Sequence, residues 1–403
     1  MHILYIHQHF TTNQGATGTR SYDYARYLVQ RGHLVTVVSG VYALGPFAGQ
    51  VSGLVDVKEV DGIRVVLINV PYANQMRMIG RVMSFVLFAL LSVLTCLRQG
   101  RVDVVLATST PLTVGIPALA MKWLRRVPYV FETRDIWPEF AISMGILTNP
   151  LVIRLASLAE RVFYRNAAKV QAISPGMVEH LSRRVPREKL TMIPTGVDLS
   201  LYDTVRPDDS LRRELGWQDR LIAVYAGAHS NANGLEYVID AADSLRNDPR
   251  VGFLMIGEGR SKDALVMQAR TRGLTNISFQ PKMPKDRLVG VIADADVGML
   301  ILQAVPEFTI ALPNKLFDYL AGGLAVAVNF TGDASNELSR FGAGLATDPT
   351  NPRTLADALG HWAANRDQLA ASKAGARELA RYYDRRDWAG KLEAVLREAS
   401  GRH

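Results

Sequence analysis

One cysteine, Cys96, stands in 403 residues. A lone thiol closes no intrachain disulfide and builds no thiolate metal cluster, which points to a reducing compartment. The uncharged run Val82–Leu97 has sixteen residues, thirteen of them apolar, short of the roughly 20 that a bilayer span requires. The chain opens on Met1-His-Ile-Leu-Tyr-Ile6 with no basic segment ahead of a long apolar one, so no signal peptide is expected. The G-x-G-x-x-G fingerprint is missing after the first predicted strand, and no acidic residue follows the second near Ser39; both disfavour a nicotinamide dehydrogenase. No stretch interleaves aromatics with a dense basic stripe, which removes nucleic acid from the expected partners. His7 and His9 share a strand face, but no third ligand falls at metal spacing, and no metal is expected.

What is present is a chain long enough for two domains at about 100–200 residues each. Its 48% hydrophobic and 21% charged residues supply ample core. The net charge of +8 is lopsided: residues 1–205 carry 21 Lys and Arg against 13 Asp and Glu, and the remainder is balanced. One half is therefore expected to meet something anionic.

Short apolar runs alternate with amphipathic ones. Predicted strands are Ile3–His7, Leu34–Ser39, Ile63–Val70, Val102–Thr108, Tyr129–Thr133, Lys169–Ile173 and Leu190–Ile193, then Leu221–Gly227, Gly252–Ile256, Ile277–Gln280, Val297–Leu302 and Leu324–Asn329. Helical patterns such as Thr19–Gln30, Thr113–Arg126, Leu235–Leu245, Ser261–Arg272 and Lys315–Ala321 separate them. The alternation predicts α/β architecture with two doubly wound, Rossmann-like domains, each binding ligand beyond the carboxyl ends of its strands. The break falls near Asp198–Ser210, giving domains 1–203 and 204–384 and a terminal helix in 385–403.

Arginines bracket the run Val82–Leu97. Its plain reading is a core helix. The functional one is a helix in the membrane interface, with Phe85 and Phe88 toward lipid and Arg77, Arg81, Arg98 and Arg101 on phosphates. Thr113–Arg126 repeats the arrangement with Lys122, Arg125 and Arg126.

The loop after the first strand holds Gly15, Thr17 and Gly18 ahead of a helix, a pattern for close ligand approach or merely for a tight turn. Asp294-Ala-Asp296 has the look of a metal-diphosphate pair, yet its place before an apolar strand favours a structural role. Thr133-Arg134-Asp135-Ile136-Trp137-Pro138-Glu139 follows a buried-type strand, so Arg134, Asp135 and Glu139 emerge where ligands bind. One cation, two carboxylates and an indole suit a sugar; a surface salt-bridge cluster is the alternative. In the second half, Gly227 ends a strand, Gly257-Glu258-Gly259-Arg260 ends another, and Lys282 follows a third. Pro313-Asn314-Lys315 opens a helix whose first turn suits a diphosphate, with Asp318 one turn on to accept from a ribose diol.

These residues resemble the family 4 retaining glycosyltransferases of the GT-B fold, particularly bacterial enzymes of O-antigen, capsule and exopolysaccharide assembly of the N-acetyl-L-fucosamine transferase type. The resemblance rests on Gly15-Ala-Thr-Gly-Thr-Arg20, Arg31-Gly-His-Leu-Val-Thr-Val37, Arg134-Asp-Ile-Trp-Pro-Glu139, Ile193-Pro-Thr-Gly-Val-Asp198, Ile256-Gly-Glu-Gly259 and Pro313-Asn-Lys-Leu-Phe-Asp-Tyr-Leu-Ala-Gly322. It implies two Rossmann-like domains facing a cleft, a terminal helix crossing back to the first, and metal-independent transfer with retention. It also implies a nucleotide-sugar donor, UDP-linked and N-acetylated, held by the second domain. The first domain would take a polyprenyl-diphosphate-linked saccharide at an anionic inner-membrane surface, the enzyme being cytoplasmic and peripheral. The chain departs from the family in places: its glutamate pair falls on Ile310 and Asp318, with Glu307 a candidate substitute, and its arginine and lysine fall on Ala228 and Asn233. Lys315, and secondarily Arg260, are left to stabilise the leaving diphosphate. A nucleotide-sugar 2-epimerase and a non-catalytic assembly partner are the competing readings.

Overall fold

A computed structural model of the chain describes residues 1–12, 19–42, 46–72, 76, 78–143 and 145–402. They form two units, Met1–Thr195 with Arg385–His403, and Gly196–Asp384.

The first unit holds β1 (His2–Ile6), β2 (Leu34–Tyr42), β3 (Val55–Val60), β4 (Ile63–Tyr72), β5 (Val104–Thr108), β6 (Tyr129–Thr133), β7 (Lys169–Ala172) and β8 (Leu190–Met192), in the order β3-β4-β2-β1-β5-β6-β7-β8. β1 is central, with Leu4 opposite Thr36 of β2 and Val105 of β5, both parallel. Ile3 to Ile6 are inaccessible because helices cover both sheet faces, which is why the strand reads as a continuous apolar run. β3, not expected from the sequence, alternates exposed and half-buried residues and pairs antiparallel with β4. The hairpin turns on Asp61-Gly62, with φ of 51° and 76°, the positive values a two-residue primed turn needs. Asp-Gly after Val-Asp-Val-Lys-Glu-Val was the available signal.

The helices α1 (Arg20–Gln30), α2 (Met78–Leu97), α3 (Gly115–Arg125) and α4 (Pro150–Asn166) connect these strands. Strand order reverses at β1, so α1 lies on one face, where it packs with the terminal helix Arg385–Ser400, and α2, α3 and α4 form a layer on the other. The terminal helix is tied down by Glu393, whose carboxylate accepts from His33 Nε2 at 2.9 Å and Arg31 at 3.3 Å.

α2 is twenty residues long rather than sixteen, and Gly80–Leu97 has the length and composition to cross a membrane. One stripe of it, Ser84, Phe88, Ser92 and Cys96, is buried at four-residue spacing, on the side packed against β2 and β4. Phe88 is thus a correction: the helical period turns it into the unit's core, not toward lipid. Phe85 is half-buried and stacks on Tyr72 at 5.4 Å. Lys122 and Arg125 are corrections too, being spent on helix ends. Lys122 donates to Asn166 O at the end of α4, and Arg125 to the carbonyls of Leu97, Gln99 and Gly100 after α2. Arg98, Arg101 and Arg126 are exposed, Arg81 is half-buried beside the Tyr72 ring, and Arg77 lies outside the described residues.

The second unit is a parallel sheet of β9 (Leu221–Ala226), β10 (Val251–Ile256), β11 (Ile277–Gln280), β12 (Val297–Leu300), β13 (Ala325–Val328) and β14 (Gly344–Ala346), ordered β11-β10-β9-β12-β13-β14. β14 is a three-residue edge too short to register as a strand in sequence. Two of its helices, α5 (Lys262–Thr271) and α6 (Asn314–Ala321), open beside the carboxyl ends of strands. Asp294 and Asp296 take the structural alternative: Arg212 pairs with both, at 2.9 and 3.3 Å, and Lys373 with Asp296 at 3.3 Å.

Candidate active site

In an open α/β sheet, ligand crevices form where strand order reverses, beyond the carboxyl ends of the strands. In the second unit that point is the end of β9. The chain leaves β9 through Gly227, whose N–H donates to Ile256 O at 2.9 Å, and His229 N–H donates to Glu258 O at 2.9 Å. The two loops are joined backbone to backbone. Any Cβ at Gly257, where φ is 143°, would stand 1.9 Å from Gly227 O, so only glycine serves there. Lys262, in the first turn of α5, fastens the arrangement, donating to Gly257 O at 2.8 Å and pairing with Glu258 at 2.7 Å. That pairing holds the Glu258 carboxyl below its usual range. Arg260 and Lys282 are exposed along the same edge.

Across the switch point stands Lys315, in the first turn of α6. Its ammonium donates to Tyr225 Oη and to Asn233 Oδ1, each at 2.9 Å, and lies 4.3 Å from the Tyr225 ring centre. Tyr225 in turn donates to Ala228 O at 2.9 Å, and Asn233 Nδ2 donates to the same oxygen at 2.9 Å. Two of the three ammonium donors are so used, both on neutral oxygens, and no carboxylate among the described residues pairs with Lys315. Burial pushes its pKa down to about 7. Asn233, where the family resemblance places a lysine, holds a lysine that arrives from α6. Sequence spacing gave no hint of this, because the two positions are 82 apart. Asn314 is exposed at the helix start, and Asp318 one turn on accepts from Tyr202 Oη at 3.1 Å. His229, also unforeseen, is buried edge-on to Tyr225 with ring centres 5.7 Å apart, and burial lowers its pKa. The side chain of Glu307 lies outside the described residues, as do Gly15, Thr17 and Gly18.

In the first unit the switch point is the end of β1, followed by His7 and His9. Burial, and after it the charge of Arg134, lowers the pKa of both rings, that of His9 to about 4, so both are neutral near pH 7. From β6 emerge Arg134, whose N–H donates to Ser109 Oγ at 3.0 Å, and Asp135, which accepts from Thr110 Oγ1 at 2.7 Å. Glu139 has other partners: its carboxylate is engaged by His180 and Arg184, both at 2.6 Å, in the ion cluster that the sequence left open as the alternative. Beneath the edge lies an inaccessible pair, Arg20 with Glu132 at 2.5 Å. Glu132 also accepts from Thr108 and Gln171, and Arg20 donates to Ile193 O and Pro194 O.

Residues 15–196 match the Glycosyl transferase 4-like domain, and residues 220–365 the Glycosyl transferases group 1 domain. The chain belongs to the family 4 glycosyltransferases. Within that family it is 31% identical over 239 residues to WcaI of Escherichia coli (strain K12), whose name assigns it to colanic acid biosynthesis as a glycosyl transferase; the match covers 56% of this chain and 58% of that protein. It is 22% identical over 196 residues to TuaC of Bacillus subtilis (strain 168), named for teichuronic acid biosynthesis, covering 48% and 46%. The chain thus spans about half the length of the curated relatives it matches. The crystal structure of Anabaena Alr3699/HepE in complex with UDP shares the GT-B fold, with a TM-score of 0.72 at 18% identity over 99% of this chain and 100% of that one.

Proposed function

We propose that this family member is a retaining glycosyltransferase of polysaccharide biosynthesis. It moves a sugar, N-acetylated and UDP-linked, onto a polyprenyl-diphosphate-linked saccharide at the cytoplasmic membrane face. The observation that carries the reading is Lys315: a half-buried ammonium, lacking a carboxylate partner among the described residues, at the switch point of the second unit. A diphosphate supplies the missing anion. The UDP complex of Alr3699/HepE supports uridine, and the name of WcaI supports a polysaccharide product.

The bond broken joins the anomeric carbon to the diphosphate oxygen, and the bond formed joins that carbon to the acceptor oxygen. The acceptor proton passes to the departing diphosphate, whose charge Lys315 and the first turn of α6 stabilise. Asp318 takes the ribose diol. Metal-independent transfer fits this chain because its Asp294 and Asp296 are already paired with Arg212 and Lys373.

The test is incubation of the full chain with UDP-sugars, with and without lipid-linked acceptor. Transfer that requires acceptor is expected; a new sugar nucleotide formed without acceptor would establish the epimerase instead. In the first unit, Asp135 is assigned to orienting the acceptor hydroxyl, with Arg134 beside it. Asp135→Asn is expected to lower acceptor-dependent transfer about tenfold, chiefly in the KM for acceptor, while donor affinity holds. Unchanged transfer would remove Asp135 from the site.

Lys315 also sets a pH dependence. Its anion-binding form is the protonated one, and its pKa is about 7. Affinity for a nucleotide sugar, whose own diphosphate does not titrate here, is therefore highest below pH 6 and falls up to about tenfold per unit above pH 7. Calorimetric titrations across this range read the slope, and Lys315→Met flattens it.

A further inference from the structure

Exposed large apolar side chains are spread unevenly among the described residues. The second unit shows Met267 and Tyr382, whereas the helical layer of the first shows six on α2, three on α3 and four on α4. Met83, Leu90, Trp123, Leu124, Leu151 and Leu155 are between 57% and 68% exposed. They belong to one surface, because α3 packs between α2 and α4 and its side chains join both neighbours: Arg125 donates to Leu97 O and Lys122 to Asn166 O. The helices' other faces are turned to the sheet. An apolar surface of this extent, rimmed by charge, marks an interaction site.

Charge selects the occupant. The three helices contain one acidic residue, Glu160, and it is buried. Arg98, Arg126, Arg154 and Arg161, on or next to these helices, are exposed. A second copy docked about a two-fold axis would set these arginines against their own kind. Lipid phosphates would pair with them, and aliphatic side chains with an exposed indole match the boundary between headgroups and acyl chains. α2 is long enough to cross a bilayer, but its buried stripe from Ser84 to Cys96 holds it within the layer, so it lies in the membrane plane.

We infer that the outer face of α2, α3 and α4 docks on an anionic bilayer surface. This deepens the reading above and rests on it only for its purpose, delivery of a lipid-linked acceptor. Binding is measured with neither nucleotide nor acceptor, so the two stand or fall separately.

The full chain is sedimented with phosphatidylcholine vesicles with and without phosphatidylglycerol. Wild type is expected to pellet with the anionic vesicles and to be released by salt. The pair Leu90→Glu and Leu155→Glu, both at exposed positions, should lose at least about tenfold in partitioning with an unchanged thermal midpoint. Arg154→Glu with Arg161→Glu removes the cations alone and should lose the preference for anionic lipid. Wild type remaining in the supernatant of both vesicles overturns the inference, as does equal binding by either variant. It is also overturned if wild type is a dimer by analytical ultracentrifugation and the leucine variant is a monomer, since a second copy then covers the face.

Discussion

Lys315→Met lowers kcat for sugar transfer by about 10²–10³-fold, the usual result of deleting one donor aimed at charge that develops in the transition state. On the proposed reading the ammonium meets the donor's diphosphate in the ground state, but the charge there grows as the glycosidic bond breaks. The loss therefore falls more heavily on kcat than on KM. Folding is expected to survive. The side chain touches Tyr225 and Asn233 and no acidic partner among the described residues, and holding an ammonium in this site opposes folding, as its depressed pKa records. Methionine keeps most of the volume without that burden, so the thermal midpoint stays level or rises. Lys315→Arg retains a charge but not the compact head that fits between Tyr225 and Asn233, and recovers part of the rate. Steady-state kinetics of both variants check the result.

The second large effect is structural. Glu132→Ala destabilises the first unit by about 3–5 kcal/mol, because it strands the inaccessible guanidinium of Arg20 without its anion. Domain stabilities are about 5–15 kcal/mol, so this is a large share. The loss spreads widely: Glu132 also satisfies Thr108 on β5 and Gln171 on β7, while Arg20 clasps the carbonyls after β8. The substitution thus loosens β5 to β8 together, the edge that presents Arg134 and Asp135. Urea unfolding, followed by a probe in each unit, should show the first unit's transition moving to lower denaturant and the second's unmoved. Coincident midpoints in mutant and wild type would show the pair to be dispensable.

Much of the architecture was legible because parallel strands buried on both faces read as largely apolar runs; Tyr129–Thr133 was bounded to the residue, as was the half-buried edge strand Ile277–Gln280. β3 escaped because its alternating, half-exposed pattern belongs to a different kind of strand. The site was less legible. Periodicity marks Lys315 as the first turn of a helix, but the contact with Asn233 depends on two loops of one sheet edge converging, which no local pattern encodes. Glu139 shows the converse. Its place after β6 suggested a ligand, yet His180 and Arg184, far along the chain, claim it. Lys122 and Arg125 read in sequence as membrane-facing cations, yet as the last-turn basic residues of a helix they are well placed to close neighbouring helix ends.

The donor site itself is best tested by competitive acetylation of the full chain, with and without UDP, followed by peptide mapping. Lys315 should react as an amine titrating near pH 7 and should be protected by UDP at concentrations that saturate binding, while Lys122 and Lys169 in the first unit keep their reactivity. Labelling of Lys315 that is indifferent to saturating UDP would place the nucleotide elsewhere and contradict its assignment to this edge.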